Sequence, residues 1–249
     1  LVGAIGDMQE DYGFKGMNCL ILEDALSEGT VEIKETLRLF GIQTKPLHKV
    51  LEYSTNPYIP GVTGSERGAI KFIEDSGIEL YDKARKVRRL VNLSKQELAK
   101  LVTAIEIKKT SGTMAESTVG PVFLLKDEDE DSLKKDLREF STLLNSCGRM
   151  GWPSLGIGVC LGDKVASKKA NELLRSYRKE IIDALNWYYE NRSTPNVLEK
   201  KGYVIILAGS NIRDTIIGTL ASLLAKSKVY PDGTIIMSTA YTLDGLIKV

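Results

Sequence analysis

The 249-residue chain has a single histidine, three cysteines and few glutamines, and no apolar run near the roughly 18 residues a membrane-spanning helix needs. With His48 alone there is no HExxH zinc helix, and no P-loop sequence occurs either. Cys19, Cys147 and Cys160 form no CxxC pair, which argues against a metal knuckle and for a reducing compartment. No signal peptide is visible, so the expected location is cytoplasmic, away from membranes. Charge of one sign is lacking too. Lys and Arg total 34 against 33 Asp and Glu, so general polyanion binding is not expected, and a nucleic-acid surface must come from local clusters. Scarce glutamine beside 27% charged residues fits a heat-adapted cytosol. An initiator methionine is missing, and both ends read as strand interiors, so a fragment of a longer polypeptide is expected.

What is present is a 43% hydrophobic chain able to build two or three compact units. Residues 1–6 (LVGAIG) read as a buried strand with Asp7 at its carboxyl end. Residues 18–26 and 32–40 read as short helices. The stretch 44–63, with Pro46, Pro57, Pro60 and Gly61, is turn-rich and marks a boundary. Residues 65–75 read as a helix with Ala69, Ile70 and Ile73 on one face. Ser94 and Glu97 make a capping-box pattern that opens a helix to about residue 105. Residues 119–125 read as a strand. The acidic run 127–131 (DEDED) suits the N-terminus of a helix over 132–144, the alternative being a partner-binding acidic patch. Residues 164–191 carry the longest helical stripe, through Ala170, Leu173, Leu174, Tyr177, Ile181, Ala184 and Leu185. A break at 191–195 follows. Strand 203–208, helix 214–226 and strand 234–239 then form a β-α-β unit, which argues for α/β layering with a mixed or parallel sheet.

Four sets of residues could carry chemistry. Asp7, at the end of an expected strand, is a seat for a metal-ligating carboxylate, although Asp7 and Glu10 also fit a helix cap with its capping-box partner. In residues 145–151 (NSCGRMG), Gly148 offers a backbone free to turn and Arg149 a guanidinium that can fork onto a phosphate. The plainer alternative is an arginine solvating a helix C-terminus that Gly148 caps. In residues 211–222 (NIRDTIIGTLAS), a strand runs through polar residues into a helix, leaving helix N–H groups at a strand's end. Gly218 within it is expected to pack helix on sheet. The basic stretch 83–89 (KARKVRR) could track a phosphate backbone, while its interleaved Glu79 and Asp82 favour a solvated face. His48 is expected at the surface or at a cap, and Cys147 has no sign of a histidine partner. Residues 156–162 (GIGVCLG) look like a nucleotide fingerprint, but no strand precedes them, and close helix packing explains the glycines better.

Together and in this order, NSCGR and NIRDTIIGTLAS resemble the DHH phosphoesterase superfamily, most closely the archaeal RecJ-like, GINS-associated nucleases. NSCGR is similar to the Asn-Ala-Ala-Gly-Arg motif of that group, and LVGAIGD looks like the motif that supplies one aspartate to its two-metal site. In the second segment, Asn211 stands where relatives carry histidine and Asp214 where small residues are usual. The resemblance implies an α/β chain: the rear part of a DHH domain with parallel sheet (residues 1–59), a mainly helical insertion domain (60–131), a closing segment with a long connector helix (132–196), and the start of an α/β DHH-associated domain (197–249). It implies Asp7 as a catalytic metal ligand for Mn2+ or Mg2+, in a site whose other acids are absent here. It implies Asn145, Gly148, Arg149, Asn211 and Arg213 as nucleic-acid contacts. The insertion, with Arg85, Arg88 and Arg89, is expected to meet a protein partner, the GINS complex.

Two functions of different class follow. The first is part of a metal-dependent exonuclease that trims single-stranded DNA or RNA from the 5′ end, with this piece inactive alone. The second is a replisome scaffold related to the eukaryotic cell-division-cycle protein of the replicative helicase. A phosphodiesterase for small oligonucleotides is a further alternative, which the large insertion disfavours.

Overall fold

The computed structural model describes residues 1–10, 13–54, 57, 59–108, 118–226 and 229–249, with the side chain of residue 226 left out. Part of the expected insertion, residues 109–117, therefore lies outside the described residues. The chain divides into two compact units, Leu1–Thr142 and Leu143–Val249. Both mix helix and strand, as the expected α/β class requires.

In the first unit, residues 1–6 do not form a strand. Val2–Gly6 is a short helix, α1, in which Ile5 N–H donates to the Leu1 carbonyl and Asp7 N–H to that of Gly3. A six-residue apolar run has no periodicity that separates strand from helix. The helix pairs its own backbone, a demand that a strand can meet only with a neighbour. Helix α2, Met17–Ser27, follows the expectation for 18–26 and buries no residue.

Residues 32–40 also differ from expectation. Val31–Leu37 is strand β1, paired antiparallel over seven residues with β2, Val119–Leu125, from Val31 opposite Leu125 to Leu37 opposite Val119. Val31 and Leu37 reach the core at the strand's two ends, and a cross-strand partner outweighs the modest helix propensity of the Lys-Glu centre. Among the described residues this unit's sheet is two-stranded and antiparallel, so the parallel sheet expected for residues 1–59 is not seen there.

Three helices fill out the unit: α3 (Leu47–Glu52), α4 (Glu66–Asp75) and α5 (Lys95–Lys108). The box at the start of α5 forms as its sequence indicates. Ser94 N–H donates to Glu97 Oε2 at 2.8 Å and Glu97 N–H to Ser94 Oγ at 3.3 Å. One core joins Leu37, Leu47, Leu51, Ile59, Ile73, Leu101, Ile105 and Leu124, all at 2% exposure or less. Residues on both sides of position 59 thus share a single apolar centre.

Helix α6, Leu137–Arg149, begins five residues later than expected. Asp136 starts it, with Oδ1 accepting from Arg138 N–H at 2.8 Å, so the acidic run lies in the preceding loop rather than at a helix N-terminus. There Glu128 pairs with Lys134, Glu130 with Lys135 at 3.3 Å, and Asp131 with Arg89.

The second unit holds α7 (Pro153–Cys160), α8 (Lys164–Asn191) and a four-stranded sheet ordered β3 (Val197–Lys200), β4 (Tyr203–Leu207), β5 (Ile235–Tyr241), β6 (Ile247–Lys248). Helix α9, Asp214–Lys226, connects β4 to β5, and those two strands pair in parallel, the β-α-β unit read from the sequence. The glycines of α7 are packing residues. A Cβ on Gly158 would lie 2.6 Å from that of Ala166 in α8, and one on Gly156 would touch Cys147 at 3.5 Å. Helix α8 buries Ala166, Ala170, Leu174, Tyr177, Ala184 and Tyr188, with Asp163 Oδ1 accepting from Val165 and Ala166 N–H groups at its start. Among the described residues no helix is long and apolar enough to cross a membrane.

Candidate functional site

Gly148 and Arg149 end helix α6, and Gly148 keeps helical dihedral angles; the residue that turns is Gly151, at φ +80°. Gly148 therefore does not serve as a tight turn or as a cap. The helix instead gives residues 145, 148 and 149 one shared, exposed face, since positions three and four apart are neighbours. Ser146 and Cys147 point inward, both fully buried. A Cβ on Gly148 would meet nothing within 4 Å, so the position leaves backbone open between Asn145 and Arg149. Burial pushes the Cys147 thiol above its usual pKa, which keeps it protonated and unreactive.

Arg149 Nη1 donates to the carbonyl of Thr215 at 2.9 Å, in the first turn of α9. That bond joins the two sequence segments within one unit. Arg213 opens α9, its carbonyl accepting from Ile216 and Ile217 N–H, and its guanidinium reaches Glu180 of α8 at 3.1 Å. Asn211 Nδ2 closes the preceding turn on the Ala208 carbonyl at 3.0 Å. Asn145, Gly148, Arg149, Asn211 and Arg213 are all exposed. Two guanidiniums beside a helix N-terminus are suited to an anion, with the Asp214 carboxylate opposing it. Gly218 is exposed, with nothing within 4 Å of an added Cβ, so it does not pack helix on sheet. Thr215 takes part through its backbone carbonyl, a role that no side-chain pattern in the sequence marks.

Asp7 lies in the other unit. It ends α1 instead of a strand and is exposed, with Oδ2 accepting from Gln9 Nε2 at 2.9 Å. Glu10 is no capping-box partner. It is buried, 2.6 Å from Arg138 and 3.5 Å from Arg38. Near it burial raises the Asp136 carboxyl above its ordinary pKa, against the pull of two backbone N–H groups. Neither Glu10, Asp136 nor the two arginines carries a sequence pattern that could have marked the cluster, since its members come from positions 10, 38, 136 and 138. Among the described residues no three His, Cys, Asp or Glu side chains could hold a metal ion together. Asp7 with Gln9 does not by itself fit a two-metal centre.

His48 is 9% exposed on α3, not at the surface, with Nε2 3.5 Å from Glu66. Burial and then Lys49 lower its pKa, so it stays neutral near pH 7.

Comparison with family models decides what the first unit contains: residues 39–120 match the DHH-CID domain. The chain carries a DHH-CID domain. The resemblance to the DHH superfamily is thereby borne out, and the matched residues supply most of the single core, which also takes in Leu37, Val122 and Leu124. An uncharacterized protein of Methanocaldococcus jannaschii is 30% identical over 224 residues, covering 86% of this chain and 46% of its own length. The chain thus spans about half the length of the curated relative it matches. Among solved structures, CDC45 from Entamoeba histolytica superposes with a TM-score of 0.60 over 98% of this chain and 54% of the other, at 10% identity. That likeness concerns the fold.

Within the DHH-CID domain the basic stretch is bound to its own neighbours. Tyr81 and Val87 bridge an antiparallel turn whose tip holds Arg85 at φ +59°. Arg88 forks onto both Glu97 oxygens at 2.7 and 2.8 Å and also donates to the Glu79 and Asn92 carbonyls. Arg89 donates to the Gln43 carbonyl at 2.9 Å and pairs with Asp131. Arg85, with Lys83 and Lys86, remains on the exposed side of the turn. Of the three arginines expected at a protein interface, two thus have internal partners.

Proposed function

We propose that this chain is the docking and strand-holding part of a RecJ-like DHH exonuclease acting on single-stranded DNA or RNA, and that the acids binding its Mn2+ or Mg2+ ions lie elsewhere in the polypeptide. The observation that carries the reading is the bond from Arg149 to the Thr215 carbonyl. It fixes one guanidinium at the start of α9, where the exposed Arg213 also lies and where a helix N-terminus favours negative charge. A phosphate of the strand would meet Arg149 first, with the open backbone at Gly148 leaving room for the sugar. The side chains described here bind and orient; the hydrolytic step is left to the remaining acids.

In the same reading the inserted domain comprises residues 39–120 rather than 60–131, because both halves of that stretch share one core. It would dock the GINS complex through the turn around Arg85. Deleting residues 60–131 would remove α4, α5 and β2 and expose Leu37 and Leu47, so point variants are the sound test. The chain is expected to bind purified archaeal GINS, and Arg85→Glu with Lys86→Glu to weaken that binding at least tenfold with an unchanged circular dichroism spectrum. Equal binding by the variant rules this turn out.

A replisome scaffold without hydrolysis is the second reading. The exposed, single-acid setting of Asp7 favours it. Metal-dependent cleavage by a full-length homologue, lost on replacing the residue equivalent to Asp7, would exclude it.

A further inference from the structure

The four-stranded sheet of the second unit has one clothed face and one bare face. Val204, Ile206, Ser238 and Ala240 are buried, and Ser238 Oγ donates to the Ile217 carbonyl of α9. The alternate positions point the other way. In register across the strands, Tyr203 lies opposite Ile235, Ile205 opposite Met237, Leu207 opposite Thr239 and Tyr241 opposite Ile247. Tyr203 is 43% exposed, Leu207 41%, Ile235 70%, Met237 38%, Tyr241 54% and Ile247 62%. A sheet built around a parallel pair is normally covered on both faces. A contiguous apolar patch of this extent marks a contact surface.

We propose that a second copy of this chain docks here, sheet against sheet in the aligned packing of a β-sandwich. Two features single out that occupant. The first is area: the six side chains offer roughly 600 Å2, taking about 200 Å2 for a large side chain fully exposed. Two copies together bury about 1,200 Å2, the lower end of a standard specific interface. The second is charge. Lys200, opposite Tyr203 at one corner, is the only charged residue that the strand register puts on this face. An isologous contact sets a patch against itself, so like charges at its centre would repel, and here there are none.

The test is light scattering of the 249-residue chain after size exclusion, from low to high micromolar concentration. The apparent mass doubles with concentration; Met237→Lys and Ile235→Glu hold the chain at monomer mass with unchanged circular dichroism. Leu161→Glu, at an 81% exposed apolar residue just after α7, leaves the dimer intact. Amides of β5 in the unsubstituted chain gain protection from hydrogen exchange as concentration rises, which reads the contact without a substitution. A monomer at every concentration overturns the proposal and assigns the face to another occupant, such as a further segment of a longer polypeptide. A dimer that survives both sheet substitutions, or that only Leu161→Glu dissolves, overturns it equally.

Discussion

Replacing Arg88 by alanine should destabilise the DHH-CID domain by about 2 kcal/mol, the range for removing a buried or half-buried charged hydrogen-bond donor. Arg88 is 13% exposed at its side chain and Glu97 23%. The guanidinium holds the Glu97 carboxyl down to a pKa of about 2, with Ser94 N–H adding to the effect. Relative to an unfolded value of 4.5, that depression corresponds to about 3–4 kcal/mol at most. Solvent reaches the pair, so about 1–2 kcal/mol is the better expectation. The sign follows from a lowered folded pKa. The stabilisation is complete above about pH 4.5 and is lost as pH falls toward 2. Both tryptophans, Trp152 and Trp187, belong to the second unit, so fluorescence is blind to this change. Hydrogen exchange at the α5 amides reads it, and urea unfolding by circular dichroism supports it. At pH 6 the Arg88→Ala and Glu97→Gln variants should exchange faster by roughly 5- to 30-fold, and their double mutant should show a coupling of about 1–2 kcal/mol. At pH 3 less than about half of the difference should remain. Additive single effects, or a difference that does not shrink in acid, would refute the assignment of Arg88 to the domain's own scaffold.

Gly158→Val should cost about 2–3 kcal/mol by driving α7 from α8, seen as an earlier tryptophan fluorescence transition, because an added Cβ already meets Ala166 at 2.6 Å. Gly156→Ala, with ordinary 3.5 Å contact to Cys147, should be neutral or up to about 1 kcal/mol stabilising in the same assay. Glu199 gathers Arg192 at 2.6 Å and the hydroxyls of Tyr188 and Tyr230, which also bond to each other, so Glu199→Leu should leave one phenolic O–H without an acceptor and lower stability by about 1–3 kcal/mol in urea unfolding. The chain should show no Mn2+-dependent release of nucleotides from single-stranded DNA, and Asp7→Asn should leave its melting temperature in Mn2+ unchanged.

Long, periodic or capped elements were legible in the sequence. The 28-residue stripe of α8, the Ser94–Glu97 box and the β4-α9-β5 unit each combine several local signals that agree. Short apolar runs were not. LVGAIG and VEIKETL each fit two periods over too few residues, and backbone pairing decided them in opposite directions. The acidic run misled for a different reason: its charges are matched by Lys134, Lys135 and Arg89, of which only the first two are near in sequence. At the candidate site the sequence offers residue types and their order but not their geometry. Gly148 reads as a turn because glycine permits one, whereas α6 runs straight through it. The Arg149–Thr215 bond spans 66 positions and leaves no mark on composition or spacing.

The strand-holding claim is tested most directly by binding of a 5′-labelled single-stranded oligonucleotide to the chain across a salt series, beside Arg149→Ala. Each phosphate contact on a single strand contributes about 0.7 to the slope of log affinity against log salt. The account predicts measurable binding at low salt, a weaker Arg149→Ala variant, a slope reduced by about 0.7, and recovery of the slope in Arg149→Lys. No binding by the unsubstituted chain, or an Arg149→Ala variant with unchanged affinity and slope, would contradict it.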